Sequence, residues 1–213
     1  MKLLALVLTL VLAACAMSEQ DYGTNAQFCS SGSTDPKIRI DACTWLINSA
    51  QLQENGIPRA YSNRGNAYAR MSQYERAIAD HDTAIRLRPD LAGAYNNRGV
   101  VYLDNHKYLR AIADFDVAIQ LKPDYADAYT NRGGAYLSKR QYDRAIVDLD
   151  TAIQLKPGAA MAYVARGATY EMQGKMEPAF RDYRRAYDLG HRPKGLVEKV
   201  KLFENLRQRG FFP

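Results

Sequence analysis

A pattern of residues occurs four times in this chain at intervals of 34 residues, and it constrains the fold more than any other feature of the sequence. Pairs of Ala and Tyr begin at Ala60, Ala94, Ala128 and Ala162. In the same phase, pairs of Arg and Gly begin at Arg64, Arg98, Arg132 and Arg166. A period of this length is typical of repeat proteins, in which each unit buries its apolar face against its neighbours. The sequence therefore predicts an array of similar units.

Large and small side chains alternate within each unit in the way that two packed helices require. In the first unit, Tyr61 and Tyr68 lie seven residues apart, on one face of a helix. Gly65 and Ala77 are small at the positions where two helices must approach each other closely. Pro89 cannot continue the second helix, so the unit ends there. Each unit is therefore predicted to be a helical hairpin.

This pattern resembles the tetratricopeptide repeat, a pair of antiparallel helices with aromatic, Gly, Ala and Pro residues at fixed offsets. The resemblance covers residues 58 to about 191, with Tyr in place of the usual Trp and Arg in place of the usual Leu. It implies an all-α fold, a right-handed α-solenoid of tetratricopeptide hairpins with capping helices at both ends. The predicted parts are a signal peptide (1–14), a lipidated Cys with a flexible tether (15–36), an N-terminal capping helix (37–57), four repeats (58–91, 92–125, 126–159 and a degenerate 160–193) and a C-terminal solvating helix (194–213).

The first residues are typical of an exported lipoprotein. A charged start is followed by an apolar run that is shorter than the roughly 20 residues of a membrane-spanning helix. Residues 12–15 resemble a lipobox, which predicts acylation of Cys15 and a periplasmic protein anchored to the outer membrane. Cleavage after Ala16 is the alternative, and it would release a protein without an anchor.

The other two cysteines form an even pair if Cys15 carries lipid. In an oxidising periplasm, Cys29 and Cys43 are predicted to form a disulfide. Two free thiols remain the alternative. A metal site is not expected, because two cysteines without a nearby His do not supply four ligands.

Each repeated Arg is followed sixteen residues later by an Asp on the second helix of its own hairpin. The predicted ion pairs are Arg64–Asp80, Arg98–Asp114, Arg132–Asp148 and Arg166–Asp182. The alternative is that the four arginines form a strip that binds phosphate or carboxylate groups. Because every Arg has a matching Asp, the sequence favours internal ion pairs.

The face of each first helix that lies opposite the tyrosines is predicted to line a concave groove. The groove residues are Arg59, Asn63, Asn66, Arg70, Asn97, Val100, Asn131, Met161 and Met172. Asn63, Asn97 and Asn131 are similar to the asparagine ladder of the O-linked N-acetylglucosamine transferase superhelix, which implies that they grip the backbone of an extended peptide. The alternative is that Asn is only tolerated on a solvated face. Met161 and Met172 would add an apolar pocket for a partner side chain.

The function predicted from these features is a non-enzymatic adaptor of the cell envelope that binds a protein or an extended peptide. No cofactor, small-molecule substrate or nucleic acid is expected, because the net charge of +6 is interleaved with acids and no glycine-rich phosphate loop or metal-spaced His is present. One alternative is a structural protein that binds cell wall or lipopolysaccharide through Arg192, Lys194, Lys199, Lys201, Arg207 and Arg209. Another is self-association through the end faces. The oligomeric state is left open.

Overall fold

A computed structural model describes residues 21–32, 35–49 and 56–210 of the chain. The described residues form helices and no strands, so the predicted all-α fold is confirmed. The chain divides into two compact units, residues 1–101 and 102–213. The helices are α1 (21–30 in its described part), α2 (Pro36–Asn48), α3 (Ile57–Arg70), α4 (Tyr74–Leu87), α5 (Ala92–Asp104), α6 (Tyr108–Leu121), α7 (Ala126–Ser138), α8 (Tyr142–Leu155), α9 (Ala160–Met172), α10 (Met176–Asp188) and α11 (Lys194–Gln208).

Consecutive helices pack as hairpins whose close approach depends on glycine. The pairs are α3 with α4 in the first unit, and α7 with α8 and α9 with α10 in the second. A Cβ atom built on Gly133 would lie 2.7 Å from Cγ of Leu149, and one on Gly167 would lie 2.9 Å from Cε1 of Tyr183. Only glycine therefore lets the large side chain of the second helix sit directly against the first helix.

The tight turn inside each hairpin has its own repeated geometry. Ser72, His106 and Arg140 follow one another at the 34-residue period and have φ values of 57°, 57° and 58°. Gly174 takes the equivalent position in the fourth hairpin with φ of 76°. This left-handed residue follows the end of the first helix, and the second helix begins two residues later.

The N-terminal segment differs from the predicted flexible tether. Residues 21–30 are helical, and Tyr22 and Ala26 pack against a buried cluster that contains Cys43, Leu46 and Ala60. The α2 helix starts at Pro36 beneath a side-chain cap, since Oδ1 of Asp35 accepts a hydrogen bond from the Lys37 amide at 2.8 Å. The prediction of a tether through residue 36 is therefore wrong for the described part. Residues 1–20, which include the predicted signal peptide and Cys15, lie outside the described residues.

A disulfide joins α1 to α2. Cys29 and Cys43 form the bond, and both side chains are buried. Arg39, also buried, donates through Nε to the carbonyl oxygen of Cys29 at 3.0 Å. The cross-link and this hydrogen bond hold α1 on the surface of α2.

Loss of this disulfide is expected to destabilise the first unit by about 3 kcal/mol, because the bond between residues 14 positions apart lowers the conformational entropy of the unfolded chain. The Cys29→Ser/Cys43→Ser variant should show this loss in urea unfolding followed by circular dichroism. Adding dithiothreitol should lower the stability of the unsubstituted protein to the same value and should leave the variant unchanged. An unsubstituted protein that is equally stable with and without reductant would contradict the prediction.

The C-terminal helix α11 packs against the last hairpin through its apolar side. Leu196, Val200 and Phe203 are buried, and the Phe203 ring stacks on Phe180 of α10 with centroids 5.5 Å apart. Within the ranges that the structure describes, no helix is both long enough and apolar enough to span a bilayer.

Candidate functional site

The predicted groove face of the second compact unit is formed by α7 and α9. Met161, Ala165, Ala168 and Met172 follow one another at helical spacing along one side of α9. Met161 and Met172 are each 56 % exposed, and the two alanines between them are half-buried. Asn131 is half-buried on α7, which packs beside α9. This face, defined here as the α7–α9 face, therefore presents two flexible apolar side chains with two half-buried alanines between them.

In the first unit, two of the predicted groove residues contact the N-terminal segment of the same chain. Asn63 Oδ1 accepts a hydrogen bond from Nη2 of Arg39 at 3.4 Å. Arg70 donates through Nη1 to the carbonyl oxygen of Gly32 at 2.9 Å. Arg59 is exposed, and Asn66 and Val100 are half-buried. Asn63 and Arg70, which were predicted to contact a partner, thus form hydrogen bonds within the chain.

A chain of polar contacts runs from the groove face of α5 into the core of the first hairpin. Asn97 donates through Nδ2 to Ser62 Oγ at 3.3 Å, and Ser62 Oγ lies 3.5 Å from Nδ1 of His81. His81 is completely buried, and its Nε2 atom has no hydrogen-bond partner. Burial, with a smaller contribution from Arg98, lowers the pKa of His81 to about 3, so the imidazole is neutral. Asn97 is therefore anchored within the chain, whereas its position suggested a group available to a ligand.

Three of the four predicted ion pairs are present within the compact units. Arg64 makes a two-pronged contact with Asp80, with Nε and Nη2 both 2.8 Å from the carboxylate oxygens. Arg132 and Arg166 make the same contact with Asp148 and Asp182 at 2.6 to 2.8 Å. The predicted Arg98–Asp114 pair joins residues of different units and stays a prediction.

Each of these arginines also has a second partner that the sequence analysis did not identify. Nη1 of Arg98, Arg132 and Arg166 contacts an Asp on the preceding helix, namely Asp82 (2.5 Å), Asp116 (2.7 Å) and Asp150 (2.5 Å). Each partner lies sixteen residues before its Arg, so the same spacing counted backwards would have predicted it. At the first position, Nη1 of Arg64 instead reaches Thr44 Oγ1 at 3.1 Å.

The second ion pair favours internal ion pairs over an anion-binding strip as the role of the repeated arginines. Hydrogen bonds to Asp148 and Asp182 raise the pKa of Arg132 and Arg166 above its ordinary value, with Asp116 and Asp150 adding to the shift. The guanidinium donors are already directed at carboxylates on two helices. These residues therefore join neighbouring helices and are poorly suited to binding an external anion.

Part of the predicted basic surface at the C-terminus is also used internally. Lys199 Nζ contacts Oε2 of Glu171, which in turn accepts a hydrogen bond from the Tyr183 hydroxyl at 2.5 Å. The Arg192 guanidinium lies over the Tyr187 ring, 4.7 Å from its centroid. No group of three or more His, Cys, Asp or Glu residues lies close enough to hold a metal ion in the described ranges.

The hairpins match models of known repeats. Tetratricopeptide-repeat models match residues 92–125 and 126–158, and a TPR-repeat model matches residues 65–106. The chain is a tetratricopeptide-repeat protein. No curated protein sequence matches it.

Solved structures with the same fold include several of MamA. A crystal structure of MamA is 25 % identical with a TM-score of 0.60, and the match covers 74 % of this chain and 90 % of that one. MamA from Desulfovibrio magneticus RS-1 is 22 % identical with a TM-score of 0.64, over 83 % of this chain and 96 % of the other. The first tetratricopeptide-repeat domain of Spaghetti (RPAP3), bound to an HSP90 peptide, is 21 % identical with a TM-score of 0.54, over 59 % and 99 %. Tetratricopeptide repeats serve as protein-interaction modules, and the comparisons support a protein-interaction scaffold.

Proposed function

We propose that this tetratricopeptide-repeat protein is a scaffold of the bacterial cell envelope that holds an extended segment of a partner protein on the α7–α9 face. The observation that carries the proposal is the pair of half-exposed methionines on α9. Methionine side chains are large, apolar and flexible, so a pair of them on an exposed helix face can adapt to the varied shapes of a bound partner.

The polar part of the site is Asn131 on the neighbouring helix. An amide side chain can both donate and accept a hydrogen bond, which suits the main chain of an extended peptide. Apolar contacts to the methionines would then select a partner side chain, while the amide contact would fix the direction of its backbone.

The envelope part of the proposal rests on the sequence. Acylation of Cys15 would hold the scaffold at the outer membrane, and its partner would then be another envelope protein. The disulfide between Cys29 and Cys43 is consistent with an oxidising compartment. Metabolic labelling with an acyl-chain analogue tests this point, since the label should be incorporated by the unsubstituted protein and lost in Cys15→Ser.

The α7–α9 face is tested with the Met161→Gln/Met172→Gln variant, which keeps the length of both side chains and removes their apolar character. Affinity capture from envelope extract should recover specific partners with the unsubstituted protein. We expect the variant to bind the recovered partner at least about tenfold more weakly by calorimetry, because the apolar contact is the main source of affinity.

The control is Leu202→Gln, which makes a similar change at an exposed apolar residue of α11. This variant should retain full binding. The proposal would be wrong if the partner bound the methionine variant with unchanged affinity. A second result would also contradict the proposal, because it is expected for a binding surface that acts only through its positive charge. In that case, high salt would abolish binding, and neither the methionine variant nor Leu202→Gln would change it.

A further inference from the structure

The second hairpin carries an apolar residue where the other three carry an acid. Leu109, in the first turn of α6, is 69 % exposed, whereas the equivalent residues are Glu75, Asp143 and Glu177. An acid in the first turn is stabilised by the partial positive charge of the helix N-terminus. The second hairpin thus gives up that stabilisation and exposes a large apolar side chain at the same place.

The surroundings of Leu109 are strongly basic. A surface depression of about 550 Å³ lies beside it, lined by His106, Lys107, Tyr108, Leu109, Arg110 and Lys139. We call this depression the α6 turn site. Its described lining contains three permanent cations and no carboxylate. The site therefore combines an exposed apolar side chain with three positively charged side chains.

Local contacts hold the site in shape. Nδ1 of His106 lies 3.1 Å from the hydroxyl of Tyr108, and their rings meet edge to face. The guanidinium of Arg110 lies over the Tyr102 ring, 5.8 Å from its centroid, which fixes the direction of the arginine side chain. A partner would therefore meet a largely preformed surface.

Two acids of the same unit lie outside the lining. Asp104 is in the last turn of α5, where burial raises the pKa of its carboxyl group and the nearby His106 acts in the opposite direction. Asp143 begins α8, and its Oδ1 accepts a hydrogen bond from Gln173. Neither carboxylate is among the residues that line the α6 turn site, so the lining itself is positively charged.

We propose that the α6 turn site binds an acidic segment of a partner protein, with one large apolar side chain resting on Leu109 and Tyr108. Flanking carboxylates would pair with Lys107, Arg110 and Lys139. Charge complementarity selects an acidic partner, and the exposed side chain of Leu109 beside three cations suits a peptide segment that carries one large apolar residue between its acids. This site is separate from the α7–α9 face, so the two can be tested independently.

The test uses a short fluorescein-labelled synthetic peptide with one Phe flanked on both sides by Glu, and a matched peptide with Gln in place of Glu. Fluorescence anisotropy should show saturable binding of the Glu peptide that weakens as salt is raised. Leu109→Glu introduces the residue type that the first and fourth hairpins carry, so it should fold normally. We expect it to bind the Glu peptide at least about tenfold more weakly, because it removes the apolar contact and repels the acids.

The matched control is Val147→Glu, since Val147 is a 64 % exposed apolar residue on α8 of the same unit. It should bind the Glu peptide as the unsubstituted protein does, and so should Met161→Gln/Met172→Gln. Equal binding of the Glu and Gln peptides, or equal losses in Leu109→Glu and Val147→Glu, would overturn the proposal. Binding to phosphatidylglycerol vesicles would also overturn the proposal, in favour of a membrane contact, under two conditions. Leu109→Glu would have to abolish the vesicle binding, and the Glu peptide would have to fail to compete with it.

Discussion

Replacing Arg132 with methionine is expected to lower the free energy of unfolding by about 3 kcal/mol. The change removes the positive charge and keeps an unbranched side chain that can still pack. Asp148, whose side chain is only 6 % exposed, would then be a buried carboxylate without its two-pronged partner. The contact from Arg132 to Asp116 on the preceding helix would be lost as well. Urea unfolding followed by circular dichroism, with hydrogen exchange of α7 and α8, measures the loss.

Asp116→Asn is the matched control, because Asp116 pairs with the same arginine from a side chain that is 52 % exposed. Water can replace most of this contact, so the control should cost less than about 1 kcal/mol. The double variant Arg132→Met/Asp148→Leu should recover most of the stability, since it removes both buried charges together. If the single and double variants were equally unstable, the loss would come from packing, and the ion-pair explanation would be wrong.

The first hairpin is expected to lose about 3 kcal/mol of stability between pH 7.5 and pH 4.5 because of His81 alone. The pKa of His81 is about 3 in the folded protein and about 6.5 when the chain is unfolded. Below pH 6.5 the unfolded chain takes up a proton that the buried ring does not. The stability contributed by the neutral ring is therefore complete above pH 6.5 and is lost as the pH falls towards 3.

His81→Phe separates this effect from the titration of carboxylates. Phe115 occupies the equivalent position of the second hairpin and is also completely buried, so the repeat accepts a phenyl ring there. The variant should be about 1 kcal/mol more stable at pH 7.5, because the unpaired Nε2 atom is removed. The advantage should grow towards pH 4.5 in urea unfolding. A constant difference between the two proteins at every pH would show that His81 is not the titrating group.

The hairpins could be predicted from the sequence because the period fixes both their length and their close contacts. Glycine at 133 and 167 faces a large residue sixteen positions later, and the arginine beside each glycine faces an aspartate at the same interval. These are relations within one repeat, and four copies make them visible. The second aspartate partners lie sixteen residues before each arginine, in the preceding repeat, so relations within one repeat do not reveal them.

The N-terminal hairpin could not be predicted in the same way. The residues of α1 have low helix propensity, and the helix depends on burial of Tyr22 and Ala26 and on the disulfide. In addition, α2 does not follow the 34-residue period. The second helix of the first hairpin begins at Tyr74, so the period would place the start of α2 at residue 40, whereas α2 begins four residues earlier, at Pro36. This packing brings Arg39 to Asn63 and Arg70 to the carbonyl oxygen of Gly32. The sequence pattern therefore did not reveal that Asn63 already has a hydrogen-bond partner within the chain.

The Asp–Arg contacts between successive repeats are the same from one repeat to the next, so the repeats are interchangeable at these contacts. Asp116 with Arg132 and Asp150 with Arg166 form the same junction at the same spacing. A further copy of residues 126–159, inserted after residue 159, would meet an identical junction on each side. At the first hairpin the equivalent contact is to Thr44, and its spacing differs by four residues. Duplication and recombination of whole repeats can therefore lengthen this protein in its interior while leaving its first hairpin as a unique component.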